Sequence, residues 1–194
     1  MLRAVFRRDD ADFARLGVRG TQLSLWAKRG YIRIVKRGLY VFVDMKDAVD
    51  QYMIAFLVYE PSYISLESAL KHYGLIPEMV QAVTSVTPRT TRSFTNEYGR
   101  FIYRHIRSDL FWGYRASETT HGKYLMAEPE KAVLDYMYFN LRVLGTIDDI
   151  RALRINTEEF RKAIDRRRFK KYLAAFDSPK MNHAADLLLH YVDA

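Results

Sequence analysis

The sequence contains no cysteine and no long hydrophobic run. The absence of cysteine excludes a disulfide framework, an iron–sulfur cluster, a thiolate zinc site and a cysteine nucleophile. The longest apolar run covers residues 53–59, far fewer than the roughly 20 residues that span a bilayer. The first ten residues also lack the apolar segment of a secretory signal. These absences predict a cytoplasmic protein with no membrane partner.

Motifs for metal or cofactor chemistry are also missing. The five histidines are scattered without metal-ligand spacing, and no glycine-rich phosphate loop or nucleophile elbow is present. We therefore predict no metal, no cofactor and no enzymatic activity. Residues 128–131, Glu-Pro-Glu-Lys, resemble the acid-x-Lys element of metal-dependent nucleases, yet the candidate strands at 82–87 and 100–106 hold no acidic residue to complete a cation site. Helix capping is the simpler explanation for Glu128 and Glu130.

What the chain does have is a large apolar fraction and a localised positive charge. Apolar residues make up 49% of 194 residues, enough for a core in one compact domain or in a small domain joined to a medium one. The net charge is +8, and residues 1–40 hold ten Lys and Arg against three Asp. This asymmetry is typical of a small module that binds a polyanion; a solvated basic face without a partner is the alternative.

The N-terminal residues follow the pattern of a winged helix-turn-helix. Acidic residues open a predicted helix over 9–16, and a second helix is predicted over 21–29. Two strands, 31–35 and 39–43, are joined by Lys-Arg-Gly, in which Gly38 can take a positive φ. We predict a DNA-binding domain over residues 1–44. Its first helix is short or missing, because Met1 to Arg8 is all that remains for it.

The predicted second helix divides into an inner and an outer face. Leu23, Trp26 and Ala27 follow the spacing of a buried stripe. On the outer face, Gln22 could pair with adenine and Leu25 could cover a thymine methyl, while Thr21 and Ser24 could reach base edges or phosphate. The cations predicted to neutralise phosphates are Arg19, Lys28, Arg33, Lys36 and Arg37. Double-stranded DNA is the expected partner; a winged helix that contacts only protein is the alternative.

Residues 45–194 are predicted to form a mixed α/β domain with an antiparallel sheet and C-terminal helices, so that the whole chain is of the α+β class. The predicted elements are a helix from Lys46 to Tyr59, a helix from Leu66 to Tyr73 with Ser65 as its N-cap, an antiparallel meander over 82–114, a strand from Lys123 to Met126, a helix from Pro129 to Leu144, and three further helices.

A second basic cluster lies near the end of the chain. Its members are Arg161, Lys162, Arg166, Arg167, Arg168, Lys170 and Lys171. It could contact nucleic acid or an acidic partner. It could equally be a solvated helix face balanced by the preceding acidic residues Asp148, Asp149, Glu158 and Glu159.

Several blocks of sequence resemble one known family. Residues 62–78 read SYISLESALKHYGLIPE, and the blocks VTSVT at 83–87, GRFIYRHI at 99–106 and AEPEKAVLDY at 127–136 follow in order. Residues 28–40 add the pattern of the predicted wing. Together these segments resemble the AbiEi-family antitoxins, the regulators of type IV (abortive infection) toxin–antitoxin pairs. The resemblance spans about residues 11–145, and the C-terminal fifty residues match loosely.

The resemblance implies a protein of two parts. In this family the winged helix binds repeats in its own promoter and represses the operon; a homodimer on the DNA is compatible with this function. The larger region opposes a nucleotidyltransferase-like toxin, typically without a stable complex. The expected function is therefore a transcriptional autorepressor and antitoxin. The alternatives are a metal-dependent nuclease with a winged-helix specificity domain and a winged-helix protein-interaction module.

Overall fold

A computed structural model describes residues 4–8, 10, 17–77, 81–120 and 122–194. The strands are β1 (Val5–Arg7), β2 (Ile32–Lys36), β3 (Leu39–Phe42), β4 (Tyr63–Ile64), β5 (Val83–Thr87), β6 (Arg92–Asn96), β7 (Gly99–His105), β8 (Tyr114–Thr119) and β9 (Gly122–Ala127). The α-helices are α1 (Gly20–Lys28), α2 (Gln51–Val58), α3 (Leu66–His72), α4 (Pro129–Asn140), α5 (Ile147–Ala152), α6 (Thr157–Ala163), α7 (Arg166–Ala174) and α8 (Pro179–Asp193). Single 3₁₀ segments cover Val43–Ala48, Ser108–Leu110 and Leu141–Val143. The predicted mixture of helices and sheets is confirmed.

A small antiparallel sheet, in the order β1-β3-β2, is packed on both faces. Phe6 and Ile32 on one face enclose Leu23 of α1, with Tyr40 and Phe42 around them. On the other face, the buried residues Val5, Val35, Leu39 and Val41 belong to the main core. Successive side chains along a strand point to opposite faces of the sheet, and apolar side chains on both sides give the sheet two apolar faces. The small sheet is therefore a layer shared by α1 and the rest of the molecule.

The start of the chain differs from the prediction. Val5 to Arg7, within the stretch left over for a first helix, forms strand β1, because two consecutive apolar residues each find a buried face beside β3. The predicted helix over 9–16 lies outside the described residues, apart from Asp10. The predicted second helix and hairpin are confirmed within about one residue at each end.

The large sheet is mixed, in the order β6-β7-β5-β4-β9-β8. The predicted antiparallel meander is confirmed for β6 and β7, which pair antiparallel, and wrong for β5, which pairs with β7 in parallel, as β4 does with β9. All five residues of β5 are buried, because both faces of this interior strand are covered, whereas β6 is partly exposed and lies at the edge. β8 forms the opposite edge and was not predicted.

Three helix predictions also need correction. The expected helix from Lys46 to Tyr59 is divided, because the Asp50 carboxylate accepts a hydrogen bond from the Tyr52 amide at 2.6 Å and begins α2 anew. The helix opened by Pro129 ends at Asn140 rather than Leu144 and continues as a 3₁₀ turn. Four helices, α5 to α8, follow where three were expected. Within the described residues, none of the helices is both long and apolar enough to cross a bilayer.

Candidate nucleic-acid interface

Helix α1 is fixed by its start and by one buried anchor. The Gln22 side-chain oxygen accepts a hydrogen bond from the Arg19 amide at 2.9 Å, which satisfies a donor at the start of the helix. Leu23 is 2% exposed and packs in the cluster that contains Phe6 and Ile32. Gly30, with φ of 76°, lets the chain leave the helix.

The opposite face of α1 is open to solvent. Thr21, Gln22, Ser24, Leu25 and Lys28 are all exposed, whereas Trp26 and Ala27 are half-buried. The predicted division of the helix into an inner and an outer face is confirmed. Two of the outer side chains bond within the helix, since the Ser24 hydroxyl donates to the Gly20 carbonyl at 3.1 Å and Gln22 forms the cap bond.

The β2–β3 hairpin turns at Arg37 and Gly38, and Gly38 adopts the positive φ (84°) predicted for it. Arg37 is exposed at the tip. Arg33 lies 3.9 Å from the Glu97 carboxylate, an ion pair open to water. The five predicted cations therefore differ: within the part of the chain that the structure describes, Arg19, Lys28 and Arg37 have no carboxylate at ion-pair distance.

Lys36 of the hairpin is exposed but also contacts the second region. Its ammonium donates to the Val58 carbonyl, at the end of α2, at 2.5 Å. Burial lowers the pKa of Lys36, and the nearby charges of Arg7 and Arg89 lower it further. The hairpin is thus tied to the second region through this side chain.

The family-like blocks of the second region meet in the core rather than at the surface. Asp135 accepts hydrogen bonds from the Tyr63 hydroxyl at 2.9 Å and the Ser65 hydroxyl at 2.8 Å, and it forms an ion pair with Lys131. All four residues are buried. Ser65 is the N-cap residue of α3, as predicted, but its hydroxyl is bonded to Asp135 and makes no cap hydrogen bond. We refer to Tyr63, Ser65, Lys131 and Asp135 as the buried network.

Two opposing effects set the pKa values in the buried network: burial disfavours the charged form of each group, and the neighbouring charges and hydrogen bonds favour it. Burial raises the pKa of Asp135, and Lys131 with the two hydroxyl donors opposes that rise. Burial lowers the pKa of Lys131, and Asp135 opposes that change. Burial also raises the pKa of Tyr63 well above its ordinary value, so its hydroxyl stays a donor. The aromatic rings of Trp112 and Phe176, 5.0 and 5.3 Å from the ammonium, complete the surroundings of Lys131.

A second set of buried contacts joins α3 to β5. The Ser68 amide donates to the Thr84 hydroxyl at 3.0 Å, and the Thr84 amide donates back to the Ser68 hydroxyl at 2.8 Å. The Thr84 hydroxyl also donates to the Ser65 carbonyl at 2.9 Å. The block at 83–87 and the described part of the block at 62–78 are therefore connected by polar bonds inside the core, where they stabilise the fold.

The residues of the nuclease-like element are occupied by internal contacts. Lys131 belongs to the buried network, and the Glu130 carboxylate accepts from the Asp165 amide at 2.8 Å. Glu128 accepts from the Tyr172 hydroxyl at 2.5 Å and pairs with Arg115 at 3.2 Å. Glu128 is nevertheless the N-cap residue of α4 and Glu130 lies in its first turn, the positions that the capping explanation gives them, although the Glu128 side chain makes no cap hydrogen bond. Among the residues that the structure describes, no three His, Asp or Glu side chains are grouped to hold a metal ion.

Part of the C-terminal basic cluster is neutralised locally. Lys162 pairs with Glu159 at 2.8 Å and Arg166 with Asp193 at 2.5 Å, whereas Arg168 lies 3.7 Å from both Glu128 and Glu130. Of the four predicted balancing residues, Glu159 takes this role, whereas Asp148 pairs with Arg151 and Asp149 caps α5. The outer face of α7 presents Arg167, Lys170 and Lys171, exposed and without an ion-pair partner in the described part of the chain.

Sequence reasoning missed two arginines beside the Tyr59 ring, Arg89 and Arg92. Arg89 lies in the loop between β5 and β6, close enough to Lys36 to lower its pKa. The local signal is a polar run, Pro-Arg-Thr-Thr-Arg-Ser at 88–93, but its closeness to the hairpin is a tertiary feature. Comparison with protein-family models finds no match for this chain, and comparison with curated proteins finds none either.

Proposed function

We propose that the chain is a DNA-binding transcriptional autorepressor whose N-terminal region works as a winged helix-turn-helix. In this proposal α1 enters the major groove and the β2–β3 hairpin is the wing that contacts the backbone. The observation that carries it is the outer face of α1, where five adjacent side chains of the types that contact bases and phosphates are exposed together.

The charge distribution supports the same proposal. Arg19, Lys28 and Arg37 lie on the helix and hairpin that would meet DNA, and their charges are available for phosphates. Gln22 would exchange its capping bond for a base contact, because bidentate pairing with adenine uses both the oxygen and the nitrogen of the amide. The expected partner is double-stranded DNA, at repeats in the promoter of the protein's own gene, with a homodimer as the compatible bound form.

The antitoxin part of the proposal rests on the resemblance of residues 62–78 and the later blocks to AbiEi-family antitoxins. The second region would oppose a nucleotidyltransferase-like toxin in the cytoplasm without forming a stable complex with it. Because the described parts of the family-like blocks meet in the core, we infer that they preserve the shape of this region. The residues that act on a toxin would then lie on its surface.

The test is a binding titration of the full chain against duplex DNA from upstream of its gene, over a range of salt concentrations. Each phosphate contact should contribute about −0.9 to the log–log salt slope, so the three available cations predict about −2.7 per chain from this region. A slope near zero would exclude DNA binding as the function. Growth of cells that express the neighbouring toxin gene, with and without this protein, tests the antitoxin part.

A protein-interaction module is the second candidate, and one observation favours it. Of the four large apolar side chains found exposed in the described residues, three lie in the N-terminal region: Leu25, Tyr31 and Ile34. Exposed apolar groups of this kind are common at protein interfaces. Two results together would support this candidate. The wild type would show no DNA binding, and its self-association or partner binding would be lost in the double variant Leu25→Ser with Ile34→Ser.

A further inference from the structure

Three cationic side chains from separate parts of the chain converge on the end of α2 and the residues after it. Arg7, at the end of β1, donates to the Leu57 carbonyl at 3.4 Å and pairs with the Glu60 carboxylate. Lys36 of the hairpin donates to the Val58 carbonyl. Arg89, from the β5–β6 loop, donates to the Glu60 carbonyl at 2.9 Å.

The ring of Tyr59 brings a fourth cation to the same place. The Arg89 guanidinium lies 4.7 Å from the ring centroid, and Arg92 at the start of β6 lies 5.9 Å from it. The Tyr59 hydroxyl donates to the Thr90 carbonyl at 3.1 Å, which fixes the loop against the ring. We call Arg7, Lys36, Arg89 and Arg92 the α2-end cluster.

Helix capping accounts for part of this arrangement. The last carbonyls of a helix lack partners and attract cations, so Arg7 and Lys36 have a structural reason to be there. The cluster nevertheless holds four cations, and within the described residues their only ion pair is that of Arg7 with Glu60. The Asp10 carboxylate lies nearby and accepts from the Arg7 amide at 2.7 Å. Like charges held together oppose folding, and Lys36 shows this through a pKa lowered by both Arg7 and Arg89 in addition to burial. All four residues of the cluster remain exposed. An exposed excess of positive charge is typical of an anion-binding surface.

We propose that Arg89 and Arg92 extend the phosphate-binding surface for DNA from the β2–β3 hairpin onto the second region. This inference rests on the proposed function. Lys36 joins the two parts, since it precedes the exposed Arg37 in the chain and contacts the same segment as Arg89. The net charge along the sequence hides this surface, because Arg89 and Arg92 belong to the charge-balanced residues 41–194.

The chemistry of the loop favours a phosphate backbone over an acidic protein. Thr90, Thr91, Arg92 and Ser93 are exposed in succession, and hydroxyls with guanidinium groups are the side chains that bond phosphate oxygens. The centres of protein interfaces are instead enriched in aromatic and apolar side chains. Residues 89–93 provide no apolar side chain for such a centre.

The experiment compares two double variants of the full chain that remove the same charge. Arg89→Gln with Arg92→Gln changes the α2-end cluster; Lys170→Gln with Lys171→Gln changes the outer face of α7. Binding to a labelled promoter duplex and to a random duplex is measured by anisotropy between about 50 and 200 mM salt. We expect the arginine variant to reduce the log–log slope by about 1.8, from about 0.9 per phosphate contact, with equal loss on both duplexes. The lysine variant should retain the wild-type slope.

The outcomes separate this inference from the proposed function. Salt-independent or absent binding by the wild type would contradict the proposed function itself. Wild-type binding with an unchanged slope in the arginine variant, or an equal reduction in the lysine variant, would overturn the extension onto the second region. Circular dichroism confirms folding of each variant. If the double variant is unfolded, Arg92→Gln alone replaces it, because the Arg92 guanidinium makes no hydrogen bond to the described residues. The expected reduction of the slope is then about 0.9.

Discussion

The cations of the N-terminal region and those of the helical C-terminal region are used differently. Arg19, Lys28 and Arg37 extend into solvent without ion-pair partners in the described residues. In the second region, Lys131 is completely buried against Asp135, and Lys162 is paired with Glu159. A partnered charge that is fully buried, such as Lys131, supports the fold, whereas an exposed pair such as Lys162–Glu159 contributes little to stability. An exposed cation without an ion-pair partner keeps its charge available to a ligand, and burial separates these cases more sharply than region does.

The largest expected effect tests whether the two regions fold separately. A chain that begins at Asp44 lacks Val5, Val35, Leu39 and Val41, which are at most 6% exposed in the main core. At about 1.5–3 kcal/mol for each buried side chain, the loss is up to roughly 6–12 kcal/mol, comparable with the whole stability of a domain. We expect this fragment to be unfolded or aggregated by circular dichroism and sedimentation.

The matched control is a full-length variant that retains the small sheet and replaces only exposed side chains of α1 and the hairpin. Gln22→Ala, Lys28→Ala and Arg37→Ala in the full chain should lower the melting temperature only by the loss of the Gln22 cap bond, while abolishing repression of a promoter reporter. Rescue of toxin-expressing cells by this triple variant would make DNA binding and neutralisation separable. A well-folded fragment from Asp44 would contradict the shared core.

The next effect concerns the buried network. Lys131→Ala leaves the Asp135 carboxylate buried without its cation, which is expected to cost about 3–5 kcal/mol in the free energy of unfolding. Urea denaturation measures this loss. Lys162→Ala, which breaks an exposed pair in the same region, should leave the midpoint unchanged. Equal effects of the two substitutions would show that burial does not distinguish these lysines.

Local structure was predictable from sequence because its causes are local. The inner face of α1 and the turn at Gly38 follow from spacing and from glycine, and both are confirmed. The Lys131–Asp135 pair has a local signal as well, because the two residues are four apart on a helix and the residues between them, Ala132, Val133 and Leu134, are apolar.

Non-local structure was not predictable in the same way. The parallel pairing of β5 with β7 depends on which strand lies at the edge, and alternation along a strand does not encode that. The approach of Arg89 to Lys36 joins residues more than fifty positions apart. For the same reason the α2-end cluster could not be found from the net charge of segments.

A smaller effect separates base reading from backbone binding within the N-terminal region. Gln22→Ala should weaken binding to the promoter duplex by about 1–3 kcal/mol, with little change on random DNA, because it removes a base contact. Arg37→Ala should weaken both duplexes by similar factors, because a phosphate contact has no sequence preference. Parallel titrations of both variants on both duplexes measure the difference. Equal behaviour of the two variants would contradict the assignment of α1 as the recognition helix.

The smallest effect is the pH dependence of one helix cap. The Asp165 carboxylate accepts from the Arg167 and Arg168 amides at 2.8 and 3.0 Å, and these bonds to the start of α7 hold its pKa below the ordinary value. A carboxyl whose pKa is lowered on folding stabilises the protein above its unfolded pKa of about 3.9, and that contribution is lost as the pH falls through the folded pKa. The variant that tests this is Asp165→Asn, which keeps a good N-cap but removes the carboxyl that titrates.

We expect the wild type and the variant to melt at similar temperatures at neutral pH. Below about pH 4 the wild type should lose the contribution that its ionised cap supplied, whereas the variant has none to lose. Melting curves of both proteins from neutral to acidic pH measure this, since the remaining carboxyls are common to both and cancel in the difference. A constant difference across that range would show that the Asp165 charge contributes nothing to the cap.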